Sequence, residues 1–359
     1  VNRFRVLVTL VAMLVPAAVI ADVAGSTTAT FVLSALAVVP LAGILGEATE
    51  ELAIHSGPRV GGLLNATFGN AAELIIGLLL VAKGELDVVR ASITGSILGN
   101  LLLVLGAAFF AGGLRRKEMR FSPQAASTLV ASMALAVAGI LMPTLYAHTA
   151  KSSEFREESV SLVVGVLLIA VYIASLIFSL VTHTDVFRPE SDSDGDGQVE
   201  PEVASWTLKR AVFWLAVSGA LVGFVSELLV GALEPTVEAW GVSKIWVGLI
   251  LVPIVGNAAE HSTAVLMAMK GKAEIAIDIA VGSSAQIALL VAPLLVFAGA
   301  LFGHHLHLVF TTFEVAAMSV AVAVVALLVQ DGRTNWLEGS QLVGLYAIVG
   351  SAAFFLGKA

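Results

Sequence analysis

The 359-residue chain has no cysteine. Disulfides, thiolate metal sites and cysteine nucleophiles are therefore excluded, and the redox compartment stays undetermined. Charge is also scarce: Asp, Glu, Lys and Arg make up 13% of the residues, about half of what soluble domains carry. Neither an HExxH helix nor a phosphate-cradling glycine loop occurs, so a zinc peptidase and an ATP-driven pump lack their machinery. Nothing is basic enough for nucleic acid. What fills the chain is apolar, 58% hydrophobic with a mean hydropathy of +0.96. A bilayer core takes about 20 apolar residues per crossing, which predicts an all-α polytopic membrane protein with about eleven transmembrane helices.

Against that background two carboxylates stand out. Glu73 closes Gly69-Asn70-Ala71-Ala72-Glu73, and Glu260 closes the identical pentapeptide Gly256-Asn257-Ala258-Ala259-Glu260. Both lie inside apolar segments, where an acid costs roughly 2.5–3.5 kcal/mol to insert and so marks an ion or proton path. Asn and Glu three residues apart share a helix face and can reach one ion. The small residues around them permit close helix approach.

The pentapeptides belong to a longer repeat. Gly95 and Gly282 have the same offset as Glu73 and Glu260, 187 positions, and each opens a Gly-Ser pair. Upstream, Glu50 and Glu227 match with an offset ten residues shorter, which puts an insertion at about Glu234 to Ser243. The order of features divides the chain into an N-terminal helix (1–26), a first five-helix repeat (27–183), an acidic linker (184–206) and a second repeat (207–359). An odd number of spans per repeat makes the halves inverted, with the working site near the midplane between them. Placing the N-terminus inside puts 13 of the 19 Lys and Arg residues on the cytoplasmic side and six outside. That bias predicts a cytoplasmic N-terminus, an outside C-terminus and a cytoplasmic linker.

Opposed repeats bring Glu73, Glu260, Asn70 and Asn257 together. An all-oxygen set with two anions suits a hard cation rather than zinc or copper. Calcium, with about 6–8 oxygen ligands, fits better than magnesium; sodium stays open as a competitor. Two carboxylates in a desolvated cleft also repel each other and take up protons. Protons and metal then compete for one site, which is the basis of antiport. Glu50 and Glu227 stand as entrance or proton-relay acids. A sodium- or potassium-coupled exchanger on the same fold is the alternative within transport, and a channel and an intramembrane metalloenzyme are the alternatives from other classes.

The stretches Leu64–Ile75, Gly95-Ser96-Ile97-Leu98-Gly99-Asn100, Gly256–His261 and Gly282-Ser283-Ser284-Ala285-Gln286-Ile287 resemble those of the calcium/proton exchangers, the CAX branch of the calcium/cation antiporter superfamily. The resemblance runs from the second span to the last. It implies eleven spans in an inverted five-plus-five repeat, and export of Ca2+ against entry of H+. The short loops point to a prokaryotic cell membrane, and no cofactor is expected. By position the resemblance makes Glu73 and Glu260 the central ligands, flanked by Asn70 and Asn257, with Ser96, Asn100, Ser283 and Gln286 lining the site. It also raises the expectation of a homotrimer. The sodium/calcium exchanger branch is less similar, because Ala-Ala-Glu here replaces its hydroxyl-rich pattern.

Two weaker signals remain. Asp192, Asp194 and Asp196 match the start of an EF-hand loop, but Val203 stands where the bidentate Glu belongs, so a flexible acidic linker is the simpler expectation and a regulatory calcium site the alternative. His304, His305 and His307 fall in a short outward loop that could bind metal or sense pH.

Overall fold

The computed structural model describes residues 3–150, 154–183 and 204–356. The described chain is helical apart from short connections and one two-residue ribbon. Helix α1 spans Arg3–Val23, and α2, Thr27–Phe68, is kinked at Gly57 (φ 78°); only glycine takes that conformation without strain. The remainder of the first half is α3 (Ala71–Ala82), α4 (Leu86–Leu98), α5 (Leu105–Gly113), α6 (Pro123–Ala150) and α7 (Glu154–Ile177). The second half runs through α8 (Leu208–Gly231), α9 (Leu233–Trp240), α10 (Lys244–Trp246), α11 (Val252–Gly256), α12 (Ala258–Met269), α13 (Ala273–Gln286), α14 (Ala292–Phe302), α15 (Thr312–Leu328) and α16 (Trp336–Leu356).

Among the described residues, eight helices are long and apolar enough to cross a bilayer, or nine if the bent pair α9 and α10–α11 counts as one. The expected eleven are not reached by this measure, because the two segments carrying the pentapeptides are interrupted and α15 is only 17 residues long. The first breaks at Gly69-Asn70 and the second at Asn257, leaving α3 and α12 only 12 residues each. Backbone freed at such breaks is tolerated in a membrane only where protein or a cavity covers it.

Both Gly-Ser segments continue into a turn of wider π-helix, Gly99–Val104 after α4 and Ile287–Val291 after α13. Single π turns of this kind frequently sit at functional sites. The paired segments form the interior: Ile97, Leu98, Leu101 and Leu105 are fully buried, as are Ala280, Val281 and Ala288. In contrast α7 exposes Val163, Val166, Leu167 and Ile173, a face that matches hydrocarbon rather than water.

Contacts fix two opposite ends of the bundle. At one end Met119–Arg120 pairs antiparallel with Arg333–Thr334, Glu118 bridges Arg120 and Arg333, and Arg116 donates to the Met269 carbonyl at 3.0 Å. At the other end Lys244 pairs with Glu85 and Glu234. There His305 and His307 also contact Glu158 (2.6 Å) and Glu157 (3.6 Å) at the start of α7.

Candidate functional site

Each pentapeptide restarts a helix. Asn70 and Asn257 occupy the N-cap positions of α3 and α12 with the same non-helical φ of −98°, and Glu73 and Glu260 fall in the first turns. The expectation that Asn and Glu share one continuous helix face is thereby corrected, because the chain breaks between Gly and Asn. The first turn is the positive end of a helix, which favours a carboxylate there. Neither asparagine side chain caps its own helix, so both amides are free to reach elsewhere.

They reach the opposite half. Asn70 Nδ2 donates to Gln286 Oε1 at 2.7 Å, and Asn70 Oδ1 accepts from Ser283 Oγ at 2.8 Å. Reciprocally, Asn257 Nδ2 reaches Ser96 Oγ at 3.5 Å and donates to the Pro253 carbonyl at 3.3 Å. The glycines cross over in the same way. A Cβ on Gly69 would lie 3.4 Å from Glu260 Oε1, and one on Gly256 would lie 3.5 Å from the Glu73 carboxyl carbon. Each pentapeptide therefore makes room for the carboxylate of the other.

Glu73 is 7% exposed. Both of its oxygens are buried without a hydrogen bond, as are Glu260 Oε2 and Asn257 Oδ1. Asn257 lies beside Glu73, Ser283 beside Glu260, and the two carboxylates are close enough to repel. Buried polar atoms are ordinarily paired, so four orphaned oxygens in one place form a set that a cation or protons would satisfy. No cluster of three His, Cys, Asp or Glu occurs among the described residues; the donors beyond the two acids are amides and hydroxyls. A small cleft beside Glu73 is lined by Ser92, Ile93, Ser96, Ile287 and Leu295.

The structure thus gathers Glu73, Glu260, Asn70, Asn257, Ser96, Ser283 and Gln286. Asn100 is buried in the adjoining π turn with its Nδ2 unpaired. Glu50 and Glu227 lie apart, exposed on α2 and α8. Asp192, Asp194 and Asp196 fall outside the described residues. His304 packs near Gly84, and His261 is partly buried, with its Nε2 unpaired.

Three residues escaped the sequence reading. Ser92 sits one helical turn from Ser96, a spacing that could have revealed it. Glu51 accepts the backbone N–H groups of Ser205 (3.2 Å) and Trp206 (3.0 Å), a long-range contact with no local signal. Glu314 is buried in a capping box with Thr311, readable from the Thr-x-x-Glu spacing.

Paired interrupted helices that converge carboxylates and amides on one buried point define a secondary cation transporter of the membrane. A family model described as "Sodium/calcium exchanger protein" matches residues 26–181 and 210–355, and the chain belongs to that family. It is 45% identical over 350 residues to a Ca2+/H+ antiporter of Synechocystis, covering 92% of each chain. It is 40% identical over 355 residues to the Ca2+/H+ antiporter ChaA of Bacillus subtilis, covering 98% of this chain and 99% of that one. The solved structure of native YfkE superposes with a TM-score of 0.84 at 35% identity, over 97% of this chain and 99% of that one.

Proposed function

We propose that the chain is a secondary antiporter that exports Ca2+ from the cytoplasm in exchange for H+ by alternating access. The observation that carries this reading is the crossed pair of carboxylates, Glu73 and Glu260, with buried oxygens that lack hydrogen bonds. Deprotonated, they supply two anions to a calcium ion, with Asn257 Oδ1 and waters filling further positions. Without calcium the same carboxylates carry protons, which neutralise the pair. One site therefore carries either cargo, and return of the filled site couples the two fluxes.

In this reading residues 27–183 and 207–359 act as inverted repeats around the site, 1–26 is an added helix, and the acidic linker 184–206 faces the cytoplasm. Asn70, Ser96, Ser283 and Gln286 hold the two halves in register. Glu50 and Glu227 receive ions at the mouths. The N-terminus lies inside and the C-terminus outside a prokaryotic cell membrane. Sodium coupling is the less favoured reading, since the matched relatives above are named for calcium and protons.

The test is uptake of calcium into proteoliposomes under an imposed proton gradient. Uptake that collapses with a protonophore and ignores sodium supports the reading. Uptake driven by a sodium gradient, or indifferent to any gradient, refutes it.

A further inference from the structure

The repeat-equivalent glycines Gly95 and Gly282 have opposite surroundings. A Cβ on Gly95 would meet the Leu249 carbonyl oxygen at 2.1 Å and Pro253 Cγ at 2.7 Å. Around Gly282 no neighbouring atom lies within 4 Å of that position. The contact at Gly95 is part of a longer seam, because a Cβ on Gly248 would meet the Val88 carbonyl at 2.8 Å and Ala91 Cβ at 2.9 Å. Helix α4 and the π turn Val247–Leu251 thus touch backbone to backbone over nearly two turns. Gly61, the repeat-equivalent of Gly248, has instead its nearest atoms at Ala53, across the kink of its own helix. The bundle is closed beside Gly95 and open beside Gly282.

A lysine bound to two carboxylates stands at the rim of the closed seam. Lys244 Nζ donates to both Glu85 oxygens at 3.1 and 3.2 Å and to Glu234 Oε1 at 2.8 Å. Glu85 is the residue before α4, and Lys244 precedes the π turn by three residues, so the pair joins the two sides of the seam directly. The chain reaches this position through the stretch that has no counterpart in the first half: α9 carries Glu234, ends at Gly241 in the left-handed conformation (φ 63°), and turns through 113° into α10. The second-half insertion therefore supplies one member of the triad and delivers another.

We propose that Lys244 is a positioning residue of the exchange cycle, latching α4 to the segment 247–253 only while the Gly95 side of the site is shut. This rests on the exchange reading above. Opening that side separates Val88–Gly95 from Gly248–Pro253 and pulls Glu85 away from Lys244, so the triad favours one of the two access states. Because the insertion exists in one half only, the bias falls on one side only. Lys244 touches no cargo.

The absence of cysteine makes the test clean. Val88 is fully buried in the seam, and Val88→Cys places one thiol there without adding volume. Its labelling rate by a maleimide is measured on the protein in lipid nanodiscs, where both faces are reached. Ala136→Cys, on α6 and equally buried, reports general loosening. Removing the latch by Lys244→Met raises labelling at Val88→Cys about three- to tenfold, the range that two partly exposed ion pairs span. Glu85→Gln raises it similarly, Lys244→Arg restores the parent rate to within about twofold, and Ala136→Cys does not change. An unchanged Val88→Cys rate in Lys244→Met, or an equal rise at Ala136→Cys, overturns the proposal. Failure of the parent chain to exchange calcium for protons would sink the exchange reading instead, a result that labelling does not produce.

Discussion

The sharpest consequence of the closed seam concerns two substitutions that look alike in sequence, Gly95→Ala and Gly282→Ala. Each adds one methyl group to a buried helix, and each gains up to about 1 kcal/mol of intrinsic helix preference. The structure separates them. At Gly95 the new methyl would sit 2.1 Å from the Leu249 carbonyl oxygen. Reaching ordinary contact near 3.4 Å requires a backbone retreat of about 1.3 Å, and overpacking of this kind costs about 1–3 kcal/mol. Since every 1.4 kcal/mol is tenfold, the closed seam loses about 5- to 150-fold against any state in which α4 and the 247–253 segment are apart. At Gly282 the methyl enters open space, so the present state loses nothing. Maleimide labelling of Val88→Cys reads the difference. Gly95→Ala is expected to raise it by that factor, and Gly282→Ala to leave it unchanged or lower it. Both slow proton-driven calcium uptake, because a two-state cycle stalls when either state is disfavoured. Equal labelling in the two variants, or no rise in Gly95→Ala, would refute the assignment of a one-sided seam.

Two further outcomes follow from the hydrogen bonds. Asn70→Ala removes the partner of both Ser283 and Gln286; stranding buried polar groups costs about 1–3 kcal/mol, and the KM for calcium in uptake assays rises about fivefold or more. An unchanged KM would separate this network from the cation site. Glu51→Ala strands the backbone N–H groups of Ser205 and Trp206 and lowers stability by about 2–3 kcal/mol, seen as a lower unfolding temperature in detergent with the calcium KM within about twofold. A changed KM with intact stability would move Glu51 into the transport path.

How much of this was legible in the sequence differs from residue to residue. Glu73 and Glu260 announced themselves, because the cost of an acid in an apolar run is a local property that composition alone exposes. Their matching offsets from the Gly-Ser segments made a two-fold architecture readable as well. The helix breaks at Asn70 and Asn257 were not readable. Ala-Ala-Glu is a good helix-forming stretch and opens each new helix, while the asparagine amides just before it reach the other half. The π turns at Gly99–Val104 and Ile287–Val291 leave no residue-level mark, since they arise from packing. Likewise the insertion at 234–243 was visible as a shift in register, but Lys244 gained meaning only when α9 and the bend brought it to Glu85. Local chemistry and the pairing implied by the repeat could be read along the chain, whereas contacts outside the repeat, such as Lys244 with Glu85 and Glu51 with Trp206, could not.

The account turns on calcium and protons contending for the same two carboxylates, and proton release on calcium binding tests that most directly. Purified protein in weakly buffered detergent is titrated with calcium while pH is recorded, for the parent chain, Glu73→Gln and Glu260→Gln. The account predicts protons released in proportion to calcium bound in the parent, with both binding and release lost or severely weakened in each variant. Calcium binding without proton release, or release that survives both substitutions, would contradict it.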